Sequence, residues 1–126
     1  MGSGPVLVVD DYEPAAESTC RLLAIIGHKA VPCTDPTKCV EIAKQIQPRA
    51  VLLDIQMPIV SGLELVGPLR AVIGPDCKIV AVTGHADKEM EQRCLSAGFN
   101  AFIVKPTILC DLEAVIGVAG IHDARP

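Results

Sequence analysis

Five polar side chains share one relation to their neighbours, each following directly on a short apolar run. Asp10 and Asp11 follow Val6-Leu7-Val8-Val9, Asp54 follows Ala50-Val51-Leu52-Leu53, Thr83 follows the run at 78–82, and Lys105 follows Ala101-Phe102-Ile103-Val104. Three carboxylates brought within a few ångströms repel one another, which raises their pKa values unless a cation neutralises them. Oxygen ligands select a hard divalent ion, and a site that keeps several waters and shares the ion with a phosphate suits Mg²⁺. Carboxylate, Mg²⁺, hydroxyl and ammonium together are the parts of phosphoryl transfer: a nucleophile, two charge neutralisers and a donor to the phosphoryl oxygens. Asp54 stands alone at the end of its run and is the better nucleophile candidate, which leaves Asp10 and Asp11 to hold the metal.

These groups meet only if the apolar runs are strands of one sheet, and the segments between them read as helices. A helix is expected from about Pro14, with Leu22, Leu23 and Ile26 at helical spacing and Gly27 as its stop. A brief strand at 30–33 is followed by the turn Thr34-Asp35-Pro36 and a helix through Val40, Ile42, Ala43 and Ile46 that Pro48 ends. After Asp54 come Met57-Pro58, Gly62 and a helical pattern of Leu63, Leu65, Val66 and Leu69, interrupted by Pro68. Asp87 is placed to cap a fourth helix that stops at Gly98, and Ile108, Leu109, Leu112, Val115 and Ile116 mark a fifth. Five strands alternating with five helices predict an α/β, doubly wound parallel sheet with helices on both faces, for which the flavodoxin-like order 2-1-3-4-5 suits this length. The functional crevice of such a sheet lies beyond the carboxyl ends of its strands, where all five polar groups fall.

Composition excludes several other classes. With 126 residues, half of them hydrophobic, the chain can bury one core and no second domain. The net charge is −4, from 11 basic and 15 acidic residues, and no Lys/Arg run offers a nucleic-acid footprint. Its apolar stretches break well before the ~20 residues a membrane span requires. Cys20, Cys33, Cys39, Cys77, Cys94 and Cys110 form no CxxC pair and no zinc spacing, so they read as thiols in a reducing, cytoplasmic compartment. Met1-Gly2-Ser3-Gly4 reads as an expression scar, 5–121 as the domain, and 122–126 as a tail.

The motifs Val8-Val9-Asp10-Asp11, Leu53-Asp54-Ile55-Gln56-Met57-Pro58, Gly62, Val82-Thr83-Gly84 and Phe102-Ile103-Val104-Lys105-Pro106, in this order, resemble those of response regulator receiver domains. The resemblance runs from about Pro5 to Ile116. It implies that Asp54 is a phosphoacceptor and that Asp11, Asp10, Asp54 and the backbone carbonyl of Gln56 hold Mg²⁺. It also implies that Thr83 and Lys105 bind the phosphoryl group and that Phe102 is the aromatic switch partner of Thr83. Many family members carry Tyr at that switch position, and Phe102 has no hydroxyl to offer a partner. Two positions associated in the family with phosphoryl lifetime fall on Gln56 and His85. The implied partners are a histidine kinase, a hybrid one carrying this receiver included, or a histidine phosphotransfer protein. A homodimer or output partner would meet the face made by the fourth helix, fifth strand and fifth helix.

Plainer readings apply elsewhere. Asp35, Asp76 and Asp87 sit at turns or helix starts, where Asp is favoured for local hydrogen bonding. His28 and His122 receive no role, and Phe102 equally fills core volume. The last helix is apolar on more than one face, counting Val118 and Ile121, which points to a contact surface. Two rivals stand beside the receiver reading: a receiver-like scaffold that takes no phosphate, and a Mg²⁺-dependent aspartyl-phosphate phosphohydrolase. The second lacks chain for a cap domain and carries Gln56 where such enzymes place a second acid.

Overall fold

A computed structural model describes residues 4–85 and 87–117. Its elements run β1 (Val6–Val9), α1 (Glu13–Ile25), β2 (Ala30–Cys33), α2 (Cys39–Ile46), β3 (Ala50–Asp54), α3 (Gly62–Ile73), β4 (Lys78–Thr83), α4 (Lys88–Ala97), β5 (Ala101–Val104) and α5 (Leu109–Val115). The strands form one parallel sheet in the order β2-β1-β3-β4-β5. Residues 1–3 and 118–126 lie outside this description, and with them His122 and the apolar Val118 and Ile121.

Side chains alternate across a strand, and the two faces carry different helices. Leu7, Val9, Val51, Leu53, Ile79 and Ala81 pack with Cys39 and Ala43 of α2, Leu65, Val66 and Leu69 of α3, and Cys94 of α4. Val6, Val8, Leu52, Val80, Val82 and Ile103 pack with Ala16 and Leu23 of α1 and Leu112 of α5. Strands covered on both sides need no polar alternation, which is why these runs read as continuously apolar. Leu7, Leu53, Leu69 and Leu112 are fully buried, each contributing about 1.5–3 kcal/mol of transfer free energy.

Local chemistry sets the helix ends. Ser61 Oγ accepts from Leu63 N at 3.0 Å while Glu64 Oε1 accepts from Ser61 N at 2.9 Å, a reciprocal cap that starts α3 where the loop after Asp54 must turn back. Asp87 Oδ1 accepts from Met90 N at 2.8 Å and caps α4 as expected. Asp35 caps a short 3₁₀ turn, Pro36–Lys38, that leads into α2. α3 runs on through the exposed Pro68, whose missing N–H removes the helical bond to the carbonyl of Glu64.

At the opposite pole from the strand carboxyl ends, buried His28 lies 2.7 Å by Nε2 from the carbonyl of Gly117, and its Nδ1 is 3.5 Å from Arg49 Nη1. Lys78 Nζ donates to Val115 O at 2.6 Å, so donors on β4 and after α1 meet the last carbonyls around α5. Gly4, read from sequence as leader, accepts from Arg49 Nε at 2.9 Å and lies so close to Gln47 that a Cβ would sit 2.2 Å from its carbonyl oxygen. All six cysteines are free thiols. No helix among the described residues is long and apolar enough to cross a membrane.

Candidate functional site at the carboxyl ends of the strands

Hydrogen bonds that continue the ladder beyond the strand ends fix how the chain leaves the sheet. Asp10 N donates to Cys33 O at 3.1 Å, Ile55 N to Val82 O at 3.0 Å, and Lys105 N to Thr83 O at 2.7 Å. The residues that exit β1, β3, β4 and β5 are therefore held in register at one edge. Gly62 adds a further constraint: a Cβ there would lie 2.4 Å from the carbonyl oxygen of Asp54, so α3 can start this close to β3 only on a glycine.

Asp54 is 2 % exposed. Its Oδ2 accepts from Lys105 Nζ at 3.0 Å and its Oδ1 from the backbone N–H of Gln56 at 3.2 Å. Asp10 is also buried; its Oδ1 accepts from Tyr12 N at 3.0 Å, and its Oδ2 lies 3.7 Å from Lys105 Nζ. Asp11 stands exposed at the rim, and one carboxylate oxygen from each of Asp10, Asp11 and Asp54 falls within 4.8 Å of the others. Burial pushes the Asp54 carboxyl up from 3.8 to about 6, with the Asp10 charge adding to the rise and Lys105 opposing it. Burial would lower the Lys105 ammonium, but its hydrogen bond to Asp54 and the charges of Asp54, Asp10 and Asp11 raise it on balance. Lys105 alone thus leaves the acids under-neutralised. An all-oxygen donor set of this charge fits one hard divalent cation.

Thr83 is fully buried and, following Ile79 and Ala81 along β4, belongs to the face of α2, α3 and α4, whereas Asp54 follows Ala50 and Leu52 on the other face. Its Oγ1 is engaged by the Gln56 side-chain amide at 2.9 Å and by His85 N at 3.1 Å. Phe102, half-buried, packs against the same face as Thr83. The His85 residue is exposed.

Sequence reasoning brought Asp10, Asp11, Asp54 and Lys105 together correctly, and placed Thr83 at the adjoining strand end. It missed Thr19 and Thr107, which line a small recess with Asp54, and Tyr12, which with Lys105 and Pro106 lines an open cleft of about 460 Å³ beside it. No spacing rule marks them, because α1 and the loop after β5 meet only in the fold. The reach of the Gln56 side chain to Thr83 was likewise illegible.

A parallel sheet in this order, with an acidic cluster, a hydroxyl and a lysine at its carboxyl edge, is a flavodoxin-like α/β domain with a polar crevice beyond its strand ends. The chain belongs to the response regulator receiver domain family, whose profile it matches over residues 6–117. It is 31% identical over 104 residues to a cyclic di-GMP phosphodiesterase of Thermotoga maritima, covering 82% of this chain and 27% of that protein. It is 31% identical over 109 residues to the transcriptional regulatory protein PrrA of Mycobacterium tuberculosis, covering 86% of this chain and 46% of that one. The chain thus spans between about a quarter and about half the length of such relatives. Among solved structures it resembles a CheY-like receiver domain from Methylobacillus flagellatus, with a TM-score of 0.76, 31% identity, and 89% and 94% of the two chains covered. A response regulator from Burkholderia pseudomallei, solved with a phosphorylated aspartic acid, calcium ion and citrate, shares the fold with a TM-score of 0.81 at 24% identity, over 90% of this chain and 66% of that one. Receiver domains are in general non-enzymatic modules of two-component signalling that bind Mg²⁺ at an acidic pocket.

Proposed function

We propose that Asp54 is the phosphoacceptor of a two-component phosphorelay, taking a phosphoryl group from a phosphohistidine on a histidine kinase or histidine phosphotransfer protein in a Mg²⁺-dependent reaction. The observation that carries this reading is the buried Asp54 carboxylate, 3.0 Å from Lys105 Nζ and clustered with two further acids. Asp10, Asp11, Asp54 and the backbone carbonyl of Gln56 would hold the ion, which supplies neutralisation of the charge on the acids and on the incoming phosphoryl group.

An Asp54 carboxylate oxygen attacks phosphorus, the P–N bond to the donor imidazole breaks with its electron pair leaving on nitrogen, and an acyl phosphate results. Lys105, already paired with Asp54, neutralises a phosphoryl oxygen, and the Thr83 hydroxyl donates to another. Burial keeps these contacts strong by keeping water away. The new group brings up to two negative charges into the site. Moving a two-state element from mostly off to mostly on needs about 5.5 kcal/mol of differential binding, which a dianion held by Lys105, Thr83 and the ion is suited to supply. The responding surface is α4, β5 and α5 near Phe102, where a homodimer or an output partner would bind. Gln56 and His85, at the two positions associated in the family with phosphoryl lifetime, tune how long the acyl phosphate lasts.

Intact mass after incubation with acetyl phosphate tests the reading. A single phosphate adduct is expected, requiring both Mg²⁺ and Asp54, and absent from Asp54→Asn and from protein in chelator. No adduct under conditions that label a control receiver overturns it and leaves a constitutive scaffold. Turnover of small phosphate esters would instead favour a phosphohydrolase.

A further inference from the structure

The Gln56 side chain joins the loop after β3 to the loop after β4. Its amide lies on the Thr83 hydroxyl, with Nε2 at 2.9 Å and Oε1 at 3.1 Å from Oγ1, and Oε1 also accepts from Gly84 N at 3.3 Å. Its own backbone N–H donates to Asp54 Oδ1 at 3.2 Å. One residue therefore holds the carboxylate with its main chain and the hydroxyl with its side chain.

A hydroxyl has a single proton, and while Thr83 gives it to Gln56 Oε1 it has none for an oxygen on Asp54. Thr83 also begins on the opposite face of the sheet from the Asp54 side chain. Reaching a phosphoryl group on Asp54 requires the hydroxyl to leave the amide. Gly84 is tied to the same Oε1 and Thr83 Oγ1 accepts from His85 N, so that movement carries the start of the segment leading to α4.

We propose that Gln56 is a positioning residue that latches Thr83 and Gly84 in the resting arrangement, so that phosphorylation must displace its side-chain amide before Thr83 turns to the acyl phosphate. The proposal rests on the phosphoacceptor reading of Asp54. It differs from a role in phosphoryl lifetime, because the latch acts before any phosphoryl group is present and sets the resting population.

The test uses amide resonances of Thr83, Gly84 and His85 in metal-free protein, followed by titration with beryllofluoride and Mg²⁺ as a stable acyl-phosphate mimic. Wild type is compared with Gln56→Met, which keeps the length and removes the polar end, and with Gln56→Glu, which retains an acceptor for the Thr83 hydroxyl and Gly84 N–H. In Gln56→Met the resting resonances should move toward their beryllofluoride positions, and half-saturation should need about five-fold less beryllofluoride, the factor expected for one lost net hydrogen bond. In metal-free Gln56→Glu they should shift only as the added charge requires and not toward the beryllofluoride positions. Resting resonances and half-saturation unchanged in Gln56→Met overturn the latch, as does an equal displacement by both variants, which a space-filling role would produce. Wild-type protein that does not respond to beryllofluoride at all overturns the phosphoacceptor reading itself, and the latch with it.

Discussion

Replacing the proposed phosphoacceptor by its uncharged isostere, Asp54→Asn, should stabilise the metal-free protein at pH 8. The carboxyl of Asp54 is 2 % exposed, and burial holds its folded pKa near 6 against an ordinary 3.8. A folded pKa above the unfolded one means that the native state binds the proton more tightly, so the associated stability is complete below pH 3.8 and is lost as pH rises through about 6. The full span of that shift corresponds to about 3 kcal/mol. Asn removes this cost, which is already net of the opposing Lys105 contact because that contact lowers the same carboxyl. The expectation is a gain of up to about 3 kcal/mol at pH 8 in chelator, read as an increase in the urea midpoint at unchanged slope. The wild-type protein recovers part of this on going from pH 8 to pH 5, as its carboxyl takes up a proton, so the gap between variant and wild type should narrow. Saturating Mg²⁺ at pH 8 should stabilise wild type more than the variant. An Asp54→Asn protein no more stable than wild type at pH 8 in chelator, or a gap that widens toward pH 5, refutes the argument that the buried carboxylate is under-neutralised.

Gly62→Ala would place a Cβ 2.4 Å from the Asp54 carbonyl oxygen, and should cost about 1–3 kcal/mol of stability while slowing acetyl-phosphate labelling of Asp54; urea unfolding and intact mass read the two effects. Lys105→Met removes the cation at 3.0 Å from Asp54, so the Asp54 carboxyl carbon, followed by NMR in metal-free protein, should titrate above its wild-type midpoint near 6. An unchanged midpoint would show that Lys105 does not neutralise the site. The buried Cys39 and Cys77 thiols, pushed up by burial to about 12 and about 11, should resist a maleimide in native protein at neutral pH. Exposed Cys110 should label first, and all six should react on unfolding; a fast reaction at Cys39 would contradict the packing described for α2.

Much of this protein was legible in the order of its residues. Apolar runs ending in Asp10-Asp11, Asp54, Thr83 and Lys105 specified both the strands and the edge at which the groups would gather, because a parallel sheet directs every strand's carboxyl end the same way. Turn and cap residues such as Gly27, Asp87 and Gly98 fixed helix ends through interactions only a few residues long, which is the range that sequence encodes directly. Tertiary structure alone decided the rest. The alternation of side chains set Thr83 and Asp54 on opposite faces, and only the meeting of two loops brought the Gln56 amide onto the Thr83 hydroxyl. His28, unassigned from sequence, is buried against the carbonyl of Gly117, 89 positions away. The elevated Asp54 carboxyl is likewise a product of depth. Burial, long-range pairing and the balance of Lys105 against Asp10 depend on distances between segments far apart in the chain, and these exist only once the sheet has closed its two layers of helices around itself.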